Sequence, residues 1–100
     1  MTLYHVTDYN NLASILETGI KPGCDGVVYC CLTAKDCMKF LYFRRDFVKR
    51  AVLFELEIDD TENIVETFDH SEAFFKCKCY GVTRIVHISE IRNMTMIDLQ

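Results

Sequence analysis

The spacing of hydrophobic residues changes near the start of the chain. Residues 3–7 favour extended backbone, whereas apolar residues from Leu12 to Leu16 recur at helical spacing. Asp8 lies between the two patterns, where a helix needs an N-cap, and Gly19 stands where a helix end tolerates the left-handed conformation. The pattern predicts a strand followed by a short helix that ends at this glycine.

Further along, the apolar pattern predicts one more helix and several strands. A continuous apolar run at 27–32 is typical of a buried strand, and helical spacing predicts a second helix from Thr33 to near Phe47. Further strands are predicted at 51–58, 64–68, 72–78, 83–88 and 94–98. Two early helices and a majority of strands predict an α+β domain with a bent or split sheet of about five to six strands.

Length, composition and charge narrow the class of protein. The chain has 100 residues and 50% are hydrophobic, which fits a single domain over residues 1–100. No apolar stretch reaches the ~20 residues of a membrane span, and no export signal is evident. We therefore expect a cytoplasmic protein with no membrane partner. The net charge of −4 argues against a general nucleic-acid binder.

The chain contains six cysteines, which we expect to be reduced thiols in a cytoplasmic protein. Cys30 and Cys31 are adjacent, so on a strand their side chains point to opposite faces. Cys77 and Cys79 could share a zinc ion with a nearby histidine, but the spacing is atypical of zinc sites. The favoured interpretation is that the cysteines are small buried hydrophobic residues, and we expect no metal.

His5 is the first candidate for chemistry, because the predicted strand places it on the same face as Thr7. Two interpretations are open. His5 is either a half-buried histidine that a neighbouring carbonyl satisfies, or a binding residue held on rigid backbone.

Four segments give the sequence its resemblance to a known family. They read YHxT, NLxSILExGIxP, YxxLTxxDCxxFLY and SEAFF, in this order along the chain. With them the sequence resembles the ADP-ribosyltransferase superfamily, the fold of diphtheria toxin, the poly-ADP-ribose polymerases and smaller toxin- and phage-type transferases. The resemblance implies NAD as the substrate and an acceptor that is a protein or a nucleic acid, or hydrolysis of NAD.

The resemblance also implies roles for individual residues. It places His5 and Thr7 at the adenosine ribose, Tyr29 against the nicotinamide ring with Tyr42 as a candidate second wall, and Glu72 at the ribose whose bond breaks. A carboxylate there would stabilise the sugar cation that forms as the bond breaks. A tyrosine ring holds the cationic nicotinamide by an attraction of roughly 1 kcal/mol.

Several alternatives stay open at this point. Glu55 and Glu57 compete with Glu72 for the catalytic role, although a solvated strand face explains them equally simply. Val6 stands where the family commonly has glycine, and no glycine-rich loop is present for the pyrophosphate. A basic side chain would have to serve instead, and the candidates are Lys35, Arg44 and Arg45. The alternative function is a catalytically inactive domain of the same fold that acts as a protein-binding module or inhibitor.

Overall fold

The computed structural model describes residues 1–43, 46, 48–67 and 79–99. Within these residues the backbone forms an antiparallel sheet of six strands and two α-helices. The strands are β1 (Thr2–Asp8), β2 (Val28–Cys31), β3 (Arg50–Glu57), β4 (Ile64–Thr67), β5 (Cys79–Val82) and β6 (Ile91–Asp98). The helices are α1 (Leu12–Thr18) and α2 (Ala34–Phe43), and single 3-10 turns lie at Tyr9–Asn11, Thr61–Asn63 and Ile88–Glu90. The structure confirms the α+β class with both helices in the N-terminal half.

The six strands follow the order β4-β5-β2-β1-β3-β6, and every neighbouring pair is antiparallel. β1 pairs with β3 along its whole length, from Thr2 opposite Glu57 to Asp8 opposite Ala51. With β2, by contrast, β1 pairs at a single position, Tyr4 opposite Cys31. β1 and β2 diverge beyond that pair, although both belong to the same six-stranded sheet. The sequence predicts a bent or split sheet of five to six strands.

Two residues fix the short helix that follows β1. The Asp8 carboxylate accepts the backbone N–H of Asn10 at 2.9 Å and so caps the 3-10 turn that leads into α1. Gly19 ends the helix at φ 84°, and its N–H donates to the Ile15 carbonyl at 2.8 Å. A Cβ at Gly19 would lie 2.5 Å from the Val86 carbonyl oxygen, so glycine is needed there for space as well as for conformation.

The buried hydrophobic residues form two clusters, one on each face of β1. One cluster includes Leu3 and Phe54 of the sheet with Ile15 of α1. The other forms where Leu41 of α2 packs near Val6. Alternation along the strand explains the split, because successive side chains of β1 point to opposite layers.

The predicted strand at 83–88 is wrong. Gly81 lies inside β5, where a Cβ would lie 2.8 Å from the Cβ of Val27. Beyond β5 the chain makes one isolated bridge, Val86 opposite Ile20. Arg84 holds this bend by donating to the carboxylates of Asp60 and Glu90.

Other predicted elements differ at their ends or cannot be compared. The last strand starts at Ile91, three residues before the predicted start at Met94. The predicted strand at 72–78 lies outside the described residues. None of the helices in the described ranges is long and apolar enough to cross a bilayer.

Candidate functional site

The divergence of β1 and β2 leaves a first cavity with a volume of about 350 Å³. Its walls come from the ends of both strands, from α2 and from the first residue of β5. The lining residues are His5, Val6, Thr7, Asp8, Tyr29, Cys30, Cys31, Cys37, Phe40, Leu41, Val48 and Cys79.

A second cavity, also of about 350 Å³, lies between the sheet, α1 and the loop that follows it. His5, Thr7 and Tyr29 line this cavity as well as the first. The other lining residues are Asn11, Ser14, Ile15, Gly19, Ile20, Lys21, Gly23, Val27 and Val28. The two cavities therefore meet at three residues that the sequence singles out for binding.

His5 connects the two strands where they separate. Its Nδ1 lies 2.6 Å from the carbonyl oxygen of Tyr29, and its ring stacks on Phe54 with centroids 6.4 Å apart. A carbonyl oxygen only accepts, so Nδ1 carries the hydrogen. Burial lowers the pKa of His5, although the hydrogen bond to Tyr29 opposes this effect. The imidazole is therefore neutral near pH 7, and Nε2 is a hydrogen-bond acceptor.

This geometry agrees with the simpler interpretation of His5, a half-buried histidine satisfied by a carbonyl. It does not conflict with the binding interpretation, because the contact occupies one ring nitrogen only. The role of His5 in binding stays a prediction.

Tyr29 and Thr7 are both held by neighbours. The Tyr29 hydroxyl donates to the carboxylate of Asp25, and the backbone carbonyl of Tyr29 accepts from His5, so both the ring and the main chain of Tyr29 have a partner. The side chain of Tyr29 is nevertheless 41% exposed. The Thr7 hydroxyl oxygen accepts a hydrogen bond from the Asn11 side-chain amide at 2.9 Å. The hydroxyl hydrogen of Thr7 can therefore still be donated to a ligand.

The backbone of β1 also contributes to the first cavity. The Tyr4 carbonyl accepts from the Cys37 thiol at 3.3 Å, so it points toward α2 and the gap. Peptide groups alternate along an antiparallel strand, and those of Val6 therefore face the same edge as those of Tyr4. Val6 lines the cavity at that edge.

Tyr42, the candidate second wall, lines neither of these two cavities. It is 65% exposed on α2, whereas Phe40, two residues earlier, lines the first cavity. The two side chains are separated by about 200° around the helix, so only one of them turns toward the gap. Phe40 is the aromatic residue that the sequence reasoning missed.

The candidate carboxylates fall into two groups. Glu72 lies outside the described residues; the flanking Thr67 and Cys79 are paired with each other, and Cys79 lines the first cavity. Glu55 and Glu57 line neither cavity and have other partners. Glu55 accepts from the Tyr4 hydroxyl at 3.3 Å.

The carboxylate of Glu57 is hydrogen-bonded to the first two residues of the chain. It accepts the Thr2 hydroxyl at 2.7 Å and the N-terminal ammonium at 3.0 Å. These two hydrogen bonds hold the pKa of the Glu57 carboxyl below its usual value. Glu55 and Glu57 therefore have partners outside both cavities, and the role of Glu72 stays a prediction.

A basic residue reaches the second cavity, but it is not one that the sequence suggested. Lys21 lines that cavity, directly after the bridge residue Ile20. Lys35 is exposed on α2 and lines neither cavity, and Arg44 and Arg45 lie outside the described residues. The sequence predicts a turn after α1, but the bridge between Ile20 and Val86 is what brings this loop, and Lys21 with it, back to the sheet.

The cysteines of the described segments are free thiols. In this part of the chain no three histidine, cysteine or acidic side chains are arranged to hold a metal ion. Cys79 is buried in the wall of the first cavity, and Cys77, its suggested partner for zinc, lies outside the described residues.

Comparison with known proteins gives a likeness of fold. No protein-family model matches the sequence, and no curated protein matches it. Protein CC0527 from Caulobacter crescentus has a similar crystal structure, with a TM-score of 0.72 and 11% identity over 98% of this chain and 87% of that chain. A double mutant of the same protein gives a TM-score of 0.71 at 11% identity, with the same coverage. At this level of identity the likeness shows the fold alone.

Proposed function

We propose that this protein binds NAD across the two cavities and breaks the bond between nicotinamide and ribose. ADP-ribose then passes to a macromolecular acceptor, a protein or a nucleic acid, or to water. The observation that carries the proposal is the meeting of two cavities of about 350 Å³ each at His5, Thr7 and Tyr29. Pockets for cofactor-sized ligands have volumes of ~300–1,000 Å³, so each cavity suits one half of a dinucleotide.

The first cavity suits the nicotinamide half. Tyr29 and Phe40 offer aromatic surface for a flat cationic ring, a contact of roughly 1 kcal/mol. The peptide groups of Val6 face the same space and can pair with the carboxamide of the ring. Nε2 of His5 accepts a hydrogen bond from a ribose hydroxyl where the two cavities meet.

The second cavity suits the phosphate-bearing half. Lys21 supplies the positive charge that a pyrophosphate needs, and it replaces the basic residues that the sequence suggested. Asn11 and Ser14 of the same wall add polar groups within the cavity.

The chemistry requires one more group, a carboxylate at the reacting ribose. When the bond from C1 of the ribose to the nicotinamide nitrogen breaks, its electron pair leaves with nicotinamide and neutralises the ring. Positive charge develops on the sugar, and an ionised Glu72 stabilises it. The acceptor nucleophile then attacks C1 and releases its proton to solvent. The assignment of Glu72 comes from the SEAFF segment of the sequence.

The test measures binding and nicotinamide release on the same protein. NAD at 100 times its dissociation constant would add about 2.7 kcal/mol of stability, so the Tm should rise. We expect wild-type protein to release nicotinamide and Glu72→Gln to bind NAD without releasing it. Glu62→Gln, at an exposed turn, is the matched control and should behave as wild type.

Two other outcomes would change the proposal. Binding of NAD without any release by the wild-type protein would favour the inactive binding module. If NAD neither raises the Tm nor is cleaved, the proposal is wrong.

A further inference from the structure

Three buried thiols meet in the wall of the first cavity. Cys31, Cys37 and Cys79 are 4%, 2% and 2% exposed. The Cys31 thiol is close enough to both of the others for each to affect its pKa. The proposed binding of NAD involves none of these sulfur atoms.

Two of these cysteines stand in a geometry that a disulfide can bridge. Cys31, the last residue of β2, is directly opposite Cys79, the first residue of β5. Opposed residues of an antiparallel pair have Cα atoms about 4.5–5.5 Å apart, and disulfides span Cα separations of about 4.4–6.8 Å. Cys37 differs, because its thiol donates to the Tyr4 carbonyl and α2 carries it below the sheet.

We propose that Cys31 and Cys79 form a reversible dithiol/disulfide pair, a modification site for small disulfides that enter the first cavity. One thiol loses its proton to solvent and attacks a sulfur of the external disulfide, which releases one small thiolate and forms a mixed disulfide. The second thiol, deprotonated in turn, attacks the protein sulfur of that mixed disulfide. A second small thiolate leaves, so the external disulfide is reduced while the two cysteines are oxidised.

The cavity explains how buried sulfur atoms react. Its volume of about 350 Å³ admits a small reagent to the wall that both cysteines line. Hydrogen bonding to Cys37 and burial raise the pKa of the Cys31 thiol, so thiolate is scarce near neutral pH. The exchange should therefore be slow at pH 7 and become faster as the pH rises toward 9.

A disulfide between Cys31 and Cys79 would link β2 to β5 and close the long loop of chain between these two residues. Closing such a loop constrains the unfolded state, so oxidation should raise the Tm by roughly 10 °C. The effect concerns the fold and not NAD, so the proposal can succeed or fail independently of the proposed enzyme.

The experiment uses the full chain with Cys24→Ser and Cys77→Ser, which removes an exposed thiol and one outside the described residues. Folded protein is incubated with cystamine, a small disulfide, at pH 7 and pH 8.5, and intact mass and Tm are measured. We expect a mass loss of two hydrogens, a higher Tm, faster conversion at pH 8.5, and full reversal by a dithiol reductant. Tryptic digestion, which cuts after Lys78 and Arg84, should yield the peptide 79–84 linked by a disulfide to the peptide that contains Cys31.

Single substitutions in this background assign the pair. Cys31→Ser and Cys79→Ser should each abolish the bond, whereas Cys30→Ser should not, because that neighbouring thiol donates toward the Val28 carbonyl inside the core. Cys37→Ser should also leave the bond intact. A bond that survives Cys31→Ser or requires Cys37 would overturn the assignment. Absence of any bond in folded protein, under conditions that oxidise the urea-unfolded chain, would overturn the proposal altogether.

Discussion

Replacing His5 by glutamine should remove part of the dependence of stability on pH. In the folded protein the neutral imidazole donates to the Tyr29 carbonyl and packs on Phe54, and burial lowers the pKa of His5 below the ordinary 6.5. The unfolded chain therefore takes up a proton at a higher pH than the folded chain does. The stability that the neutral form contributes is present above pH 6.5 and is lost as the pH falls toward the folded pKa.

The size of this effect has an upper limit. One proton corresponds to a slope of about 1.4 kcal/mol per pH unit, so between pH 6.5 and 5.0 His5 contributes at most about 2 kcal/mol. The carboxyl groups whose pKa is lowered, such as Glu57 and Glu90, contribute at lower pH because their unfolded pKa is near 4.5. The window from pH 7.5 to 5.0 therefore reports mainly on histidine.

The assay is urea unfolding at pH 7.5, 6.5, 5.5 and 5.0 for wild type, His5→Gln and His87→Gln. His87 is exposed and caps the 3-10 turn by accepting the Glu90 N–H, a contact that a glutamine side chain can also make, so its variant is the matched control. Wild type and His87→Gln should lose stability in parallel below pH 6.5, and His5→Gln should lose less. Equal slopes for wild type and His5→Gln, or a wild type that gains stability on acidification, would refute the assignment of a neutral, half-buried His5.

Three further predictions concern packing, charge and binding. Gly81→Ala should destabilise the fold by roughly 1–3 kcal/mol in urea unfolding, because its Cβ would lie 2.8 Å from the Cβ of Val27, whereas Gly23→Ala should cost less than about 1 kcal/mol. A large loss in Gly23→Ala alone would contradict this. Arg84→Gln should destabilise the protein at pH 7 and have a smaller effect at pH 3, because Arg84 holds the pKa of Asp60 and Glu90 below their unfolded values of 3.8 and 4.5, and the stability linked to these shifts is progressively lost as the pH falls below those values. An equal loss at both pH values in thermal unfolding would be inconsistent with that ion cluster. Lys21→Gln should weaken NAD and ADP-ribose about fivefold in calorimetric titration and leave nicotinamide unchanged, while Lys35→Gln should match wild type. If nicotinamide weakens equally, Lys21 does not bind the phosphates.

The local spacing of apolar and polar residues was enough to predict most of the helices and strands. β1, α1, β2 and β3 lie where the spacing of apolar residues predicts them, because each buries a face that its own sequence marks. The bend after β5 was missed, since it depends on Arg84 pairing at once with Glu90 and with Asp60, which is far away along the chain. No short window of sequence contains that information.

The candidate site was predictable in part. Strand alternation and the family resemblance selected His5 and Tyr29, and these two residues do lie in contact. Tyr42, the candidate second wall, lines neither cavity, whereas Phe40 lines the first, because the rotation of α2 against the sheet decides which aromatic residue faces the gap. Lys21 was missed because its position depends on the loop between α1 and β2 returning to the sheet through Ile20.

The most direct test of the account is to map NAD on the protein by the chemical shifts of its amide groups. The account predicts that NAD shifts amides along both cavities, including those of Val6, Lys21 and Tyr29, and that nicotinamide alone shifts only those of the first cavity. Shifts confined to a distant surface such as β6, or no shifts at millimolar NAD, would contradict the claim that one dinucleotide occupies both cavities.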